Sequence, residues 1–253
     1  RPTEVATTVR ASINELKFFD SMKHLFASSY SVLGELMQNA RRAGATRIDF
    51  TVDVEKKAAS VVDDGHGITD FGVLVALCDS GWSEQVQLTE KPFGMGLFSL
   101  FFAAQTVRFR SGGRSLTVSL DDIVSKRQLV TTYDPETIGF PGTQIDLIGL
   151  SDKMTEKCHN YGFGFNGTQM PVLFREISNR AKGFPIPVFI NGQECDRPYA
   201  KANLHGVETP IGFVSYPGVT DDSLQIPETQ YAQLFLQGLP IGPEYGRYQG
   251  ITI

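Results

Sequence analysis

Residues Glu35–Phe50 read ELMQNARRAGATRIDF. Side chains three and four apart share one helical face. Glu35, Asn39 and Arg42 therefore make a polar stripe beside the apolar Leu36, Met37, Ala40 and Ala43. Gly44 is the expected helix stop, since glycine tolerates the left-handed turn that ends helices. Beyond it the period changes to two. Ile48, Phe50, Val52 and Val54 alternate with Arg47, Asp49, Thr51 and Asp53, the pattern of a half-buried strand. Taken alone, the polar stripe fits either a solvated surface face or a face turned to a ligand. The glycine motifs downstream decide between them.

The chain has 253 residues, enough for one large domain or two modest ones. It is 41% hydrophobic and 20% charged, an ordinary globular composition. A net charge of −5 argues against a broad nucleic-acid surface. Arg41, Arg42 and Arg47 form one small basic group, and Arg108, Arg110 and Arg114 another; each is expected to be a solvated face. Cys78, Cys158 and Cys195 are widely spaced and odd in number, which speaks against a disulfide framework and shows no metal spacing. No apolar run reaches membrane-spanning length, and RPTEVATT lacks a signal-peptide pattern, so the expected location is cytoplasmic or otherwise intracellular. The absence of an initiator methionine suggests a trimmed or excised chain.

Residues 9–28 read as helical, leading through SSYS into the Glu35 helix. ASVVDDGHGITD reads as a strand ending at Asp63, a glycine turn, and a helix entered at Thr69. The polar WSEQVQLTEKP reads as a flexible loop before FGMGLFSLFFAAQ, a glycine turn opening an apolar helix. TVRFRSGGRSLTVSL alternates on both sides of Gly112-Gly113, a β-hairpin. RQLVTTYD and GTQIDLIGL are further expected strands. Helices mix with strands that also run in consecutive pairs, which favours a two-layer α/β sandwich with a mixed sheet over a doubly wound parallel one. Beyond Leu150, SDKMTEKCHNYGFGFNGTQ reads as a polar connection. A helix follows at PVLFREISNRAKG, with strands at PVFING, GFVSY and YAQLFLQGLPI. The organisation expected is α+β, with one domain over 1–165 and a smaller α+β region over 166–253. That region is either a second domain or an extension of the first sheet.

Three glycine clusters compete. GFGFNG, with Gly162, Gly164 and Gly167, matches the dinucleotide fingerprint letter by letter. It lacks the buried strand that the fingerprint requires before it. No G-x-x-x-x-G-K-[ST] occurs, which excludes a P-loop. In VVDDGHGI, Asp63 ends an apolar strand, and Gly65 and Gly67 let a flat ligand approach the backbone. In GMGLFSLFFAA, Gly94 and Gly96 precede a helix, whose free N–H groups and dipole make an anion site.

In chain order, ELMQNA, DDGHGI, PFGMGLFS and PGTQIDL resemble the four sequence boxes of the GHKL, or Bergerat-fold, ATPases over roughly residues 30–150. This superfamily includes gyrase B, the ninety-kilodalton heat-shock chaperones, MutL, MORC proteins and histidine kinases. ELMQNARRAGATRIDF is most similar to MutL, and EKPFGMGLFSLFFAA as much to the chaperones. The resemblance implies a mixed sheet with helices on one face, and Mg²⁺-dependent ATP binding with slow hydrolysis. It also implies a lid that closes to make a homodimer surface.

By the same resemblance, Glu35 corresponds to the general base that polarises the attacking water, and Asn39 to the residue whose amide oxygen holds Mg²⁺. Asp63 corresponds to the carboxylate that accepts from the adenine amino group. Gly67 lies against the base, Gly65 and Ile68 belong to the same nucleotide-binding set, and Thr143 reaches the Asp63–adenine network through its hydroxyl. Gly94, Met95, Gly96 and Leu97 present N–H groups to the phosphates. Residues 81–93 form the lid, with Lys91 a γ-phosphate contact. Arg42 departs from the pattern, because the superfamily usually has an acidic residue three after the Asn. It either clamps phosphate or turns outward, leaving Asp64 or water in that role. Glu35 argues against a histidine kinase, whose box has Asn there. A protein or DNA partner is possible but not assignable, and the rival reading is a nucleotide-binding interaction module with little or no hydrolysis.

Overall fold

The computed structural model describes residues 30–74, 99–125, 127–159, 169–210, 212–215 and 234–241. The Glu35 stretch folds as read, into helix α1 (Ser31–Arg42) and strand β1 (Ile48–Asp53). Gly44 ends the helix with φ of +72°, its N–H donating to the Arg41 carbonyl. Strand β2 (Ala58–Asp63) returns antiparallel to β1. Then follow the short helix α2 (Leu100–Ala103), the hairpin β3 (Ala104–Ser111) and β4 (Arg114–Ser119), helix α3 (Leu120–Val124), and strands β5 (Thr132–Tyr133) and β6 (Thr143–Leu150).

Helix α4 (Asp152–Thr155) and strands β7 (Lys157–His159) and β8 (Gln169–Pro171) frame the polar connection. Next come helix α5 (Val172–Ala181), strands β9 (Val188–Ile190) and β10 (Gln193–Glu194), and the hairpins β11 (Gly206–Thr209) with β12 (Gly212–Ser215) and β13 (Leu234–Leu236) with β14 (Leu239–Ile241). Eight strands make one sheet in the order β10-β9-β1-β2-β6-β3-β4-β5. Only the β1–β9 pairing is parallel, so the sheet is mixed, as the consecutive strand pairs predict.

The register carries the core across the sheet in rows. Phe50, Val61, Ile145, Phe109 and Leu116 are successive cross-strand partners, and Val52, Ala59, Leu147, Val107 and Val118 form a second row. All ten are buried in one cluster with Leu33, Leu36, Met37 and Ala40 of α1 and Leu173, Ile177 and Ala181 of α5. Each large side chain so buried contributes about 1.5–3 kcal/mol. Strands β9 and β10 extend the same sheet beyond β1, and Val188 and Ile190 join the same core.

Several sequence expectations are corrected. The helix expected through Gln105 ends at Ala103, because Ala104 is extended (φ −141°, ψ 156°) and pairs with Leu150. RQLVTTYD contributes only the two-residue edge strand β5, and Val130 is exposed. Of the helix expected from Thr69, residues 69–74 hold a single 3-10 turn at Gly72–Leu74, and the rest lies outside the described residues. So do the helix expected over 9–28, the GFGFNG stretch at 162–167 and Cys78. Arg110 is not part of a solvated face. It is 7% exposed and clamps Asp134 with two hydrogen bonds, at 2.7 and 2.9 Å, and Glu136 with a third. That buried pair pins the turn over Pro135–Thr137, which leads to Pro141 and Gly142.

Candidate active site

Continuing the core rows one step toward the end of the sheet changes their chemistry. Alternation on β2 runs Ala59, Val61, Asp63; on β6 it runs Leu147, Ile145, Thr143; on β3 it runs Val107, Phe109, Ser111. Side chains two apart share a face. The face that buries Val61, Ile145 and Phe109 thus ends in a carboxylate and two hydroxyls, under the helix layer. Asp63 is the cross-strand partner of both Ile48 and Thr143. It is half-buried, while Thr143 and Ser111 are buried.

Burial pushes the Asp63 carboxyl above its ordinary pKa, against the pull of hydrogen bonds from the N–H groups of Gly65 and Thr143. The Gly65 N–H donates to Asp63 Oδ1 at 2.9 Å. The next carboxylate behaves oppositely. Burial raises Asp64, but hydrogen bonds from the Thr46 hydroxyl and from the N–H groups of Arg47 and Thr46 outweigh it and hold the group below its usual range. Those bonds, 2.5–2.9 Å long, tie the start of the glycine loop to the start of β1. Asp64 is therefore committed to the scaffold.

The glycine loop lies tightly between α1 and the β6 entry. His66 N–H donates to the Ala43 carbonyl at 2.9 Å, which docks the loop on the end of α1. Gly67 has φ of +76°, and a Cβ there would lie 2.6 Å from Ser111 Oγ and 2.9 Å from the Pro141 carbonyl. Gly142 passes so close to β2 that a Cβ would fall 1.7 Å from the Asp63 carbonyl oxygen. Only glycine fits either place. Ser111 Oγ joins the two sides, accepting from Ile68 N–H at 3.0 Å and donating to the Gly142 carbonyl at 2.8 Å. Reading of the sequence boxes passes over Ser111; its signal was the alternation Val107, Phe109, Ser111. Ser111→Ala orphans one donor and one acceptor, so unfolding in urea is expected to show a loss of about 1–3 kcal/mol. A loss below about 0.5 kcal/mol, ordinary for a surface substitution, would mean that the hydroxyl does not hold the loop.

Along α1, Glu35 and Asn39 stand one turn apart, about 6 Å along the axis, and both are half-buried. Burial pushes the Glu35 carboxyl upward, and the Arg42 guanidinium pulls it back. Arg42 Nη1 donates to Asn39 Oδ1 at 3.2 Å. The sequence left two destinations for Arg42, phosphate or outward; the structure shows it bonded to Asn39. Its neighbour Arg41 goes elsewhere, Nε donating to Gln38 Oε1 at 2.7 Å. Gln38 Nε2 in turn donates to the Gln237 carbonyl in the turn between β13 and β14.

The structure thus brings Asp63, Gly65, Gly67, Ile68 and Thr143 together at one end of the sheet and docks that loop on the end of α1, the helix that carries Glu35, Asn39 and Arg42. Lys91, Gly94, Met95, Gly96 and Leu97, with the lid expected over 81–93, lie outside the described residues. Among the described residues no group of three or more His, Cys, Asp or Glu could hold a metal ion. None of their helices is long and apolar enough to cross a membrane.

Residues 27–146 match the family described as histidine kinase-, DNA gyrase B-, and HSP90-like ATPase. Those residues therefore match a GHKL-type ATPase domain, an ATP-binding class, and the mixed α+β architecture agrees with the Bergerat fold of that class. No curated protein matches the chain.

Proposed function

We propose that the chain binds ATP between α1 and the glycine loop, hydrolyses it slowly, and uses the cycle as a lid-closure and dimerisation switch. The role is of MutL/MORC-like or chaperone-like kind, in an intracellular protein. The observation that carries this reading is the half-buried Asp63 at the end of the core rows, flanked by Gly65, Gly67 and Gly142.

In this reading Asp63 accepts from the adenine amino group, with Thr143 beside it. Gly65, Gly67 and Ile68 form the surface against which the base lies. Ser111 keeps that surface in place. Glu35 is the general base, and a carboxyl whose proton affinity is raised by burial is better suited to taking a proton from water. Lys91 and the N–H groups of Gly94, Met95, Gly96 and Leu97 would receive the phosphates. Arg42 contributes a fixed positive charge on the same side.

Mg²⁺ suits a site with one neutral amide oxygen, since it keeps several waters and substrate phosphates in its shell. Asn39 Oδ1 has two lone pairs, and Arg42 occupies one, so Asn39 can still hold the metal. When bound, the ion would supply neutralisation of phosphate charge.

Residues 166–253 would sense the nucleotide as the start of a transducer-like region. The hydrogen bond from Gln38, next to Asn39, to the β13–β14 turn supports that reading. The alternative, an interaction module with little or no hydrolysis, is favoured by the Arg42–Asn39 contact, which places a cation where the superfamily has an acid.

Titration with a non-hydrolysable ATP analogue tests the switch. Calorimetry is expected to show saturable binding, and light scattering on the same samples a mass rising toward twice that of the free chain. Binding with unchanged mass would remove dimerisation from the reading; no binding heat would remove the nucleotide site itself.

A further inference from the structure

Arg110 lies on β3 between Phe109 and Ser111, so the pleat turns it to the other face of the sheet, away from the helix layer. A charged side chain is rarely buried unless paired, and its partners here come from the segment between β5 and β6. Arg110 donates from Nε and Nη2 to the two carboxylate oxygens of Asp134, at 2.7 and 2.9 Å, and from Nη2 also to Glu136. This two-pronged geometry fixes direction as well as distance, which a single ammonium does not. Gly113 holds the same segment through its backbone. Its carbonyl accepts from Asp134 N–H at 2.8 Å, and its N–H donates to Thr137 Oγ1 at 3.0 Å. Arg108, two residues earlier on that face, instead pairs with Asp146 of β6, within the sheet.

The segment so held runs into the cleft. Phe140 N–H donates to the Thr137 carbonyl, and Pro141 and Gly142 come next. The Pro141 carbonyl abuts Gly67, Gly142 lies against the Asp63 backbone, and Thr143 N–H donates to the Asp63 carboxylate. We infer that Arg110 is a positioning residue for the nucleotide. Clamped to Asp134 and Glu136 on one face of the sheet, it sets where Gly142 and Thr143 meet Asp63 on the other. This rests on the reading of the cleft as an ATP site and adds to it a residue whose own side chain faces away. Glu35 stands on α1, outside this chain of contacts, so the clamp bears on binding rather than on the chemical step.

The test titrates the whole chain with ATP by calorimetry, well below the melting temperature of each variant. Arg110→Gln is expected to weaken binding by about tenfold or more, the size of one charge-assisted contact. Its stoichiometry per chain should stay that of wild type, which separates a displaced site from a smaller folded fraction. Arg110→Lys keeps the charge without the fork and is expected to recover part of the loss, to within about threefold of wild type. Arg108→Gln removes a half-exposed ion pair from the same face and is expected to bind within about twofold of wild type.

Wild-type affinity in a folded Arg110→Gln would overturn the inference and leave the ATP site standing. So would an equal loss in Arg108→Gln, an Arg110→Lys no tighter than Arg110→Gln, or a loss confined to stoichiometry. Should Arg110→Gln fail to fold, Asp134→Asn decides, because its amide oxygen still accepts one of the two bonds. Binding weakened by about threefold or more in that variant supports the clamp, and unchanged affinity refutes it. Absence of ATP binding by the wild type would overturn the inference together with the ATP reading.

Discussion

Glu35→Ala is expected to lower phosphate release by about 10²–10⁴-fold, the usual contribution of a positioned general base, while ATP is still bound. The expectation rests on two facts about the wild-type side chain. It lies on the helical stripe that also carries Asn39 and Arg42, and it is buried enough for its proton affinity to rise. The second fact fixes the sign of the pH dependence. A general base must be ionised, so the rate should rise with pH through a value above that of an ordinary glutamate and level off beyond it. Arg42 pulls that value down, so Arg42→Gln should shift the rising limb to higher pH. Equal, background-level release from wild type and Glu35→Ala would instead establish the interaction-module reading, with binding intact.

Asp63→Asn is expected to weaken ATP binding by about ten- to a hundredfold, because a hydrogen bond to an ionised acceptor is worth about 1.5–3 kcal/mol. The same substitution should leave the free protein as stable or more stable at neutral pH. The folded-state pKa of Asp63 is raised, so its proton is held more tightly folded than unfolded. The stability linked to that proton is complete below the ordinary carboxylate pKa and is lost as pH rises through the folded value. At neutral pH the ionised, half-buried group is thus a cost, which asparagine removes while keeping an oxygen for the Gly65 N–H. Calorimetry and thermal melting of the same variant give both readings. Wild-type affinity in Asp63→Asn would refute the adenine assignment. A large fall in its melting temperature would show that the ionised carboxylate holds the loop together.

These two residues stand at different levels of legibility. Glu35 and Asn39 can be placed on one face from a helical repeat alone, because a period of 3.6 is a local property of the backbone. Asp63 is legible as the end of an apolar alternation, since a strand's period of two is equally local. Alternation also separates the two faces of β3, β4 and β6. The boundaries were weaker where tertiary pairing competes with composition. Ala104 and Gln105 continue an apolar, helix-like run, yet β6 offers them a partner strand, and the helix stops after four residues. RQLVTTYD has strand composition, yet only two of its residues reach β4 from the sheet edge. Arg110 reads as surface charge until Asp134, 24 residues away, is seen beside it.

By itself, then, the sequence determined the type of most main elements among the described residues, the mixed α+β class, and the set of boxes that marks a GHKL-type ATPase domain. It could do so because periodicity, glycine turns and strand-ending carboxylates are written in neighbouring residues. Only the tertiary structure decided that Asp63, Thr143 and Ser111 continue the core rows as one polar edge, that Asp64 belongs to the scaffold, and that Arg42 settles on Asn39. The first depends on cross-strand register and the second on a contact 18 residues away. The third is an i, i+3 contact that the helical repeat makes possible but does not by itself select over an outward turn.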